Sequence, residues 1–396
     1  MTPRPLRISL VVNSLGVGGV ERQMLTLARH LDRRRFDAEL VPLKSQGALA
    51  EDARSASVPM WTPDSRRGLD LAAAWRLAAH WRRTGVHTVL AANSYASIVA
   101  WLASRVMRRP PRLLSAFHSA PEHIGDGRRS RLQLALYGVA LRGYDGLVFV
   151  SGLQRAAWAA RGFAAGVPST HVFNGIDLES MAAHGAGEAA VRSQFGWDAS
   201  HFVVGVCASL RPEKRIEDLI RAVGLLAARG VPVRLLVIGD GTQRQRLEQA
   251  AAQSLAPGTA AFIGFRPDVA SWIALCDVMA LVSDAEAFSI SVLESMACGK
   301  PMVLTRVGGA AEQIEDGVHG HLVERRSPEQ IAQRIEQLWR SGEAAAMGAR
   351  ARERVRERFS LDAMVRGYEA LLEAQPWPAA ARTGAAPRPQ AREHTS

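Results

Sequence analysis

The sequence predicts an α/β protein built from two Rossmann-like, doubly wound domains facing each other. Three observations predict it. Apolar runs of strand length alternate with helically spaced segments from the N-terminus on. The alternation breaks at a turn-rich stretch and then begins again. The chain has 396 residues, too many for one ordinary core and suited to two domains of roughly 150–200 residues.

The first half opens on Leu6-Arg7-Ile8-Ser9-Leu10-Val11-Val12, a nearly continuous apolar run that reads as a buried parallel strand. A glycine loop, Gly16-Val17-Gly18-Gly19, follows. Met24, Leu25, Leu27, Ala28 and Leu31 then keep the helical period over residues 21–31. Strand, glycine turn and helix make the first unit of a doubly wound sheet. Further strands are expected at 38–43, 88–92, 112–117 and 146–150, with helices at 69–83, 96–107 and 131–141.

Asn174-Gly175-Ile176-Asp177 reads as a turn, and the Ala/Gly-rich stretch after it as a linker over 179–200. The pattern restarts with strands at 202–208, 233–238, 261–264, 278–282 and 301–305. The helices between them are expected at 216–229, from Gly241 to about 253, at 269–275 and at 289–298. From Ser327 on the chain reads as helical. The domains are therefore 1–178 and 201–360, with a helix over 361–375 expected to pack back on the first domain. Residues 376–396 carry Pro, Ala, Gly and Arg without periodicity and read as a disordered tail.

Composition narrows the function. Hydrophobic residues make up 47% and charged residues 22%, and no apolar run reaches the ~20 residues of a membrane span. With no signal-peptide pattern at its start, the chain is expected in the cytoplasm. Cys207, Cys276 and Cys298 lack metal-ligand spacing and read as small buried thiols. The formal net charge is +11. Residues 1–180 hold 24 Lys+Arg against 13 Asp+Glu, and the remainder 25 against 25. The whole surplus lies in the first half, which suggests an anionic partner there: a lipid surface, a lipid phosphate or an acidic glycan. The arginines are not interleaved with aromatics, which disfavours nucleic acid. Two clusters stand out: Arg128, Arg129 and Arg131 beside the apolar segment 132–141, and Arg105, Arg108, Arg109 and Arg112. The segment 132–141 is expected in the core with its arginines at the rim.

The most specific string lies between Phe262 and Val323. It includes Asp277-Val278-Met279-Ala280-Leu281-Val282-Ser283, then Glu286-Ala287-Phe288-Ser289-Ile290-Ser291-Val292-Leu293-Glu294, and Gly308-Gly309 with Glu312. Glu286 falls on the loop after a strand and Glu294 about two turns into the next helix. Between them, the backbone N–H groups of Phe288, Ser289 and Ile290 open that helix and suit a diphosphate. The place lies at the carboxyl end of a parallel sheet, where such folds bind ligands. A carboxylate accepts two hydrogen bonds, which suits the paired hydroxyls of a ribose.

This string resembles the retaining nucleotide-sugar glycosyltransferases of family 4, which have the GT-B fold. The resemblance is strong over the second half and weak over the first, where Gly18-Gly19-Val20-Glu21 carries it. It implies that Glu294 takes the ribose and Glu286 faces the donor hexose. It assigns Lys214 and Arg211, in Ser209-Leu210-Arg211-Pro212-Glu213-Lys214, to the leaving diphosphate. Fixed cations would do the work of a metal, since the chain has no Asp-x-Asp motif. Two positions depart from the family pattern: Ser209 stands where an Arg is common, and Ala287 where Gly is usual.

The resemblance also places Gly18 and Gly19 against the donor, His118 near the transferred sugar, and Phe265 and Arg266 at the base. It implies a UDP- or GDP-linked sugar as co-substrate, no metal or other cofactor, and a glycan or lipid-linked acceptor in envelope or exopolysaccharide synthesis. A GT-B epimerase and a non-catalytic sugar-nucleotide-binding protein are the alternatives. The absence of Gly-x-Gly-x-x-Gly argues against an oxidoreductase.

Overall fold

The structure is a computed structural model that describes residues 4–16, 18–44, 47, 49–65, 70–120, 128–181 and 192–374. The chain divides into two compact units. One comprises the chain up to Val172 together with the stretch from Tyr368 on; the other is Phe173–Gly367.

The first unit contains β1 Leu6–Val12, α1 Gly19–His30, β2 Phe36–Pro42, α2 Ala50–Ser55, α3 Leu71–Thr84, β3 Thr88–Ala92 and α4 Asn93–Arg105. It continues with β4 Arg112–Phe117, α5 Arg128–Leu141, β5 Gly146–Phe149, α6 Gly152–Ala160 and β6 Ser169–His171. The sheet order is β2-β1-β3-β4-β5-β6, and every pairing is parallel. β1 sits between β2 and β3, with Leu10 opposite Leu40 on one side and Leu90 on the other. Both faces are covered, so the strand is apolar at nearly every position. The buried Trp81 of α3 donates its Nε1–H to Ser9 Oγ at 3.1 Å, which satisfies its polar atom under the sheet.

The second unit contains β7 Phe202–Cys207, a 3-10 turn at Pro212–Lys214, α7 Ile216–Ala228, β8 Val233–Ile238, α8 Arg244–Ser254, β9 Ala260–Gly264 and α9 Val269–Ala274. Then come β10 Val278–Leu281, α10 Ile290–Ala297, β11 Met302–Thr305, α11 Ala310–Gln313, β12 Gly320–Val323, α12 Pro328–Ser341 and α13 Ala344–Arg358. The last described helix, α14 Leu361–Glu373, runs across the division between the units. The sheet order is β12-β11-β10-β7-β8-β9. Counted from β7, that is the 3-2-1-4-5-6 order of a dinucleotide-binding sheet, with its switch point between β7 and β10. Its core packs Leu219, Val223 and Leu226 of α7 and Ile331 and Ile335 of α12 on Val204, Val206, Leu235 and Val237.

Most expected elements lie within two or three residues of their observed ends. Helix α3 begins at Leu71 because Asp70 caps it, accepting from Ala73 N at 2.9 Å. It ends where Gly85 takes φ 67°. Sequence reasoning had no element at α2, α6, β6, α11 or β12. Glu294 is the fifth residue of α10, so it lies little more than one turn from the helix start instead of two. Of the three cysteines only Cys276 is buried; Cys207 and Cys298 are half-buried. Leu132 and Val139 of α5 are exposed, not core residues; Tyr137, Ala140 and Leu141 face inward. The tail at 376–396 and residues 182–191 of the expected linker lie outside the described residues.

In the first unit the end of α14 is tied to the α1–β2 turn. Glu369 accepts from the Asp32 N–H at 2.9 Å and from Arg35 Nη1 at 2.9 Å. Arg112 Nη1 donates to the carbonyl of Leu371 at 3.0 Å.

Candidate functional site

Of the residues singled out in the second unit, Lys214, Glu286 and the start of α10 lie at the carboxyl ends of β7 and β10, the switch point of the sheet, whereas Phe265 and Arg266 follow β9 at its edge. The chain leaving β7 turns sharply to deliver Lys214. Leu210 N–H donates to Asp240 O at 2.9 Å, and Lys214 N–H donates to Arg211 O at 3.1 Å. Arg215 then takes φ 52° before α7 starts. The chain leaving β10 runs through Ser283 to Ser289 before α10. Both loops end in the same place. Lys214 Nζ donates to Glu286 Oε1 at 2.5 Å, and Ser283 Oγ donates to the same oxygen at 2.7 Å. The Lys214 and Glu286 side chains are 17% and 13% exposed, so this pair is largely withdrawn from water. At such burial an ion pair is screened much less than one on the surface.

Four neighbouring elements hold the Glu286 loop. Thr305 Oγ1, at the end of β11, donates to Ser283 O at 2.6 Å. Gly309 N–H donates to Ala287 O at 2.8 Å. Asn174 Nδ2 donates to Phe288 O at 3.1 Å, and Gln313 Nε2 of α11 to Ser289 O at 2.7 Å. The Phe288 ring is buried against Phe173 and Phe359, with centroids 5.1 and 5.3 Å away. Gly308 has φ +48°, and a Cβ there would sit 1.7 Å from the carbonyl oxygen of Glu286. Only glycine fits that approach.

Ser289 is the N-cap residue of α10 but makes no side-chain cap bond; its hydroxyl pairs instead with the hydroxyl of Ser291 at 3.0 Å. The first turn of α10 thus starts with backbone N–H groups and the positive end of the helix dipole. Glu294, buried, follows on the same helix. Arg211 is different: its side chain is 64% exposed and lies 4.0 Å from Glu213. Phe265 is exposed, and the Arg266 guanidinium stacks 4.7 Å over the Trp272 ring. Both follow Gly264, whose φ of +74° turns the chain at the end of β9.

In the first unit Gly18 and Gly19 follow β1 at its own switch point, between β1 and β3, and His118 follows the next strand, β4. Gly18 N–H donates to Gly16 O at 3.0 Å, and Gly19 begins α1. Burial raises the pKa of the Glu21 carboxyl above the usual carboxylate range. His118 follows β4. Its N–H donates to Asn93 Oδ1 at 3.4 Å, and its Nε2 is buried with no partner among the described residues. Burial pushes its pKa down to about 4, so it is neutral near pH 7. Asn93 itself stands at φ 68°, a strained conformation that Asn tolerates better than most residues. Asn13, after β1, accepts from Ala96 N at 3.0 Å.

Ser283 and Thr305 belong to the string read from the sequence, but their support of the Glu286 loop was not foreseen, nor was that of Gln313, Asn13 and Asn93. For the last two the local signal was an Asn immediately after a strand. A cavity of about 800 Å³ in the second unit opens at the amino ends of β7 and β10, beside Phe202, Asp277 and Lys300. It contains none of the residues singled out for chemistry. The carboxyl-end cluster is the better site because charge, helix terminus and glycine turn converge there. Among the described residues, no group of three or more His, Cys, Asp or Glu could hold a metal ion.

Two Rossmann-like units of this topology define the GT-B fold. The solved structure of HepE from Anabaena, in complex with UDP, matches with a TM-score of 0.81 at 23% identity, covering 93% of this chain and 99% of that one. The description Glycosyl transferases group 1 matches residues 188–354, and Glycosyltransferase Family 4 matches residues 17–180. The chain belongs to family 4 of the glycosyltransferases. It is 32% identical over 182 residues to N-acetyl-alpha-D-glucosaminyl L-malate synthase of Bacillus anthracis, covering 46% of this chain and 48% of that one. It is 31% identical over 171 residues to the GDP-mannose-dependent alpha-(1-6)-phosphatidylinositol dimannoside mannosyltransferase of Mycobacterium tuberculosis, covering 43% of each chain. The chain thus spans about half the length of the curated relatives it matches.

Proposed function

We propose that the protein transfers a hexose from a UDP- or GDP-linked sugar to a lipid-linked or polysaccharide acceptor, with retention of configuration and without a metal. The observation that carries this reading is the Lys214–Glu286 pair at the switch point, beside the start of α10 and with Glu294 buried one turn on. In this reading the α10 amides and Lys214 bind the diphosphate. Lys214, with the more exposed Arg211, stabilises the charge that grows on it as the sugar leaves. Glu294 holds the ribose, Phe265 and Arg266 meet the base, and Glu286 meets the hexose. The roles given by resemblance to Gly18, Gly19 and His118 belong to the same proposal. The acceptor hydroxyl attacks from the face the diphosphate leaves, so no protein nucleophile is needed. We place the reaction on the cytoplasmic side of the membrane, where such donors are made.

Thermal shift against a panel of UDP-, GDP- and ADP-sugars tests donor binding. The expected result is stabilisation by one base class, followed by product of unchanged anomeric configuration with an acceptor. No stabilisation by any donor overturns the reading. Conversion of the donor alone into an isomer supports the epimerase, and binding with no turnover on any acceptor supports the non-catalytic protein.

A further inference from the structure

Helices α3, α4, α5 and α6 cover one face of the first sheet. Leu77 and Trp81, Val99 and Ala103, Tyr137 and Leu141, and Trp158 enter a single apolar core from them. Helix α3 packs on α4, and α4 on α5. The outer side of this layer has two unusual properties. None of the four helices contains an Asp or a Glu. Arg76, Arg82, Arg83, Arg105 and Arg131 are all exposed on it. On the other helices of this unit the balance differs: α1 carries Glu21, and α2 carries Glu51 and Asp52.

The second property is apolar. Leu71 is 66% exposed, Trp75 61%, Val106 55% and Leu132 63%. Val139 and Leu153 are exposed too, and all six lie on this layer or one residue past a helix of it. Phe265, in the other unit, is the only further large apolar side chain so exposed among the described residues. Scattered singly, such residues need no explanation; gathered on one face they mark an interaction surface. Leu71 and Trp75 stand one turn apart on α3, and Leu132 and Val139 two turns apart on α5, so each helix presents an outward apolar stripe flanked by arginine.

We propose that this helix layer is the docking surface for an anionic lipid bilayer, on which the protein lies without crossing it. Charge complementarity selects the occupant. Arg76 is paired with Asp70, the cap of α3, at 3.9 Å; the guanidinium groups of Arg82, Arg83, Arg105 and Arg131, on helices without an acid, repel one another in water and pair bidentately with phosphates. Trp and Leu side chains beside them settle at the depth of the headgroups, where an indole keeps its N–H wet and its ring dry. The apolar residues are spread among the arginines over four helices and are not gathered in one central pocket, as a protein hot spot would require. Among the described residues no helix is long and apolar enough to cross a membrane. This surface extends the lipid-linked acceptor reading and is measured without turnover, so either can fail alone.

The test is co-sedimentation of the full chain with phosphatidylcholine vesicles, with and without phosphatidylglycerol. The expected result is binding only when phosphatidylglycerol is present, weakened by added salt. Arg82→Glu with Arg83→Glu should lower partitioning by roughly tenfold or more. Leu71→Ala with Trp75→Ala should lower it by about tenfold. All four changes are on exposed positions, and each double variant should keep the donor-induced thermal shift. Equal binding to both vesicles, no binding to either, or double variants that bind like the parent would overturn the proposal.

Discussion

Lys214 on the turn after β7 and Glu286 on the loop after β10 close a salt bridge of 2.5 Å across the switch point of the second sheet. The Glu286 carboxylate already neutralises the cation. In the proposed reaction a diphosphate entering this place would have to win Lys214 from Glu286, leaving the freed carboxylate for the sugar. Lys214→Ala should lower kcat by about 10²–10³-fold, the usual loss when one stabilising donor to developing charge is removed. Glu286→Gln should hold or improve nucleotide diphosphate affinity while lowering turnover. Calorimetry for affinity and initial rates for turnover separate the two effects.

Glu294 is buried one turn into α10. Glu294→Gln removes its charge with little change of shape. A charge-assisted hydrogen bond is worth ~1.5–3 kcal/mol, so donor KM should rise about 10–100-fold. The acceptor KM should stay within a factor of about 2. An equal rise in both constants would remove Glu294 from the ribose.

Glycine at 308 is needed for a different reason from glycine at 317. A Cβ at 308 would strike the Glu286 carbonyl, whereas nothing lies within 4 Å of one at 317. Gly308→Ala should cost about 3 kcal/mol or more and lower activity by displacing the Glu286 loop. Gly317→Ala, at φ +78°, should cost only about 1–2 kcal/mol of backbone strain. Denaturant midpoints of the two variants give the comparison.

The His118 pKa, about 4 in the folded protein because of burial, lies below the ~6.5 of an unfolded chain. Between these values the unfolded chain binds more protons. The stability His118 contributes is therefore complete above about pH 6.5 and is lost as pH falls toward 4. His118→Asn should flatten the fall in stability over that window, by about 3 kcal/mol. His319 and His321 shift the same way through burial, so the difference between parent and variant isolates His118. No inflection from His118 is expected in rate profiles between pH 7 and 8.

Several features were legible in the sequence because their signal is local. β1 is a continuous apolar run, and the Glu286-to-Glu294 string combines strand end, loop and helix start within one stretch of chain. β6 escaped because Ser169-Thr170-His171 is short and polar at the sheet edge. Helix α6 escaped although Ser151 and Gln154 form a near capping box: Ser151 Oγ accepts from Gln154 N at 3.0 Å, and Gln154 Oε1 accepts from Val150 N at 2.9 Å. The pairing of Lys214 with Glu286 could not be read at all. They stand 72 residues apart, and only the order β10-β7 makes their loops neighbours. Trp75 was hidden for a similar reason, since helical spacing does not say which stripe faces the sheet.

Lysine is scarce in this chain: Lys44, Lys214 and Lys300 stand against 46 arginines. Lys44 is exposed, and Lys300 Nζ is engaged by the Ala274 carbonyl at 2.8 Å. Isotope placed in lysine alone would thus give a three-signal spectrum with one resonance stationed on the Glu286 carboxylate. The Lys214 signal would report directly on the pair at which the proposed reaction seats the diphosphate.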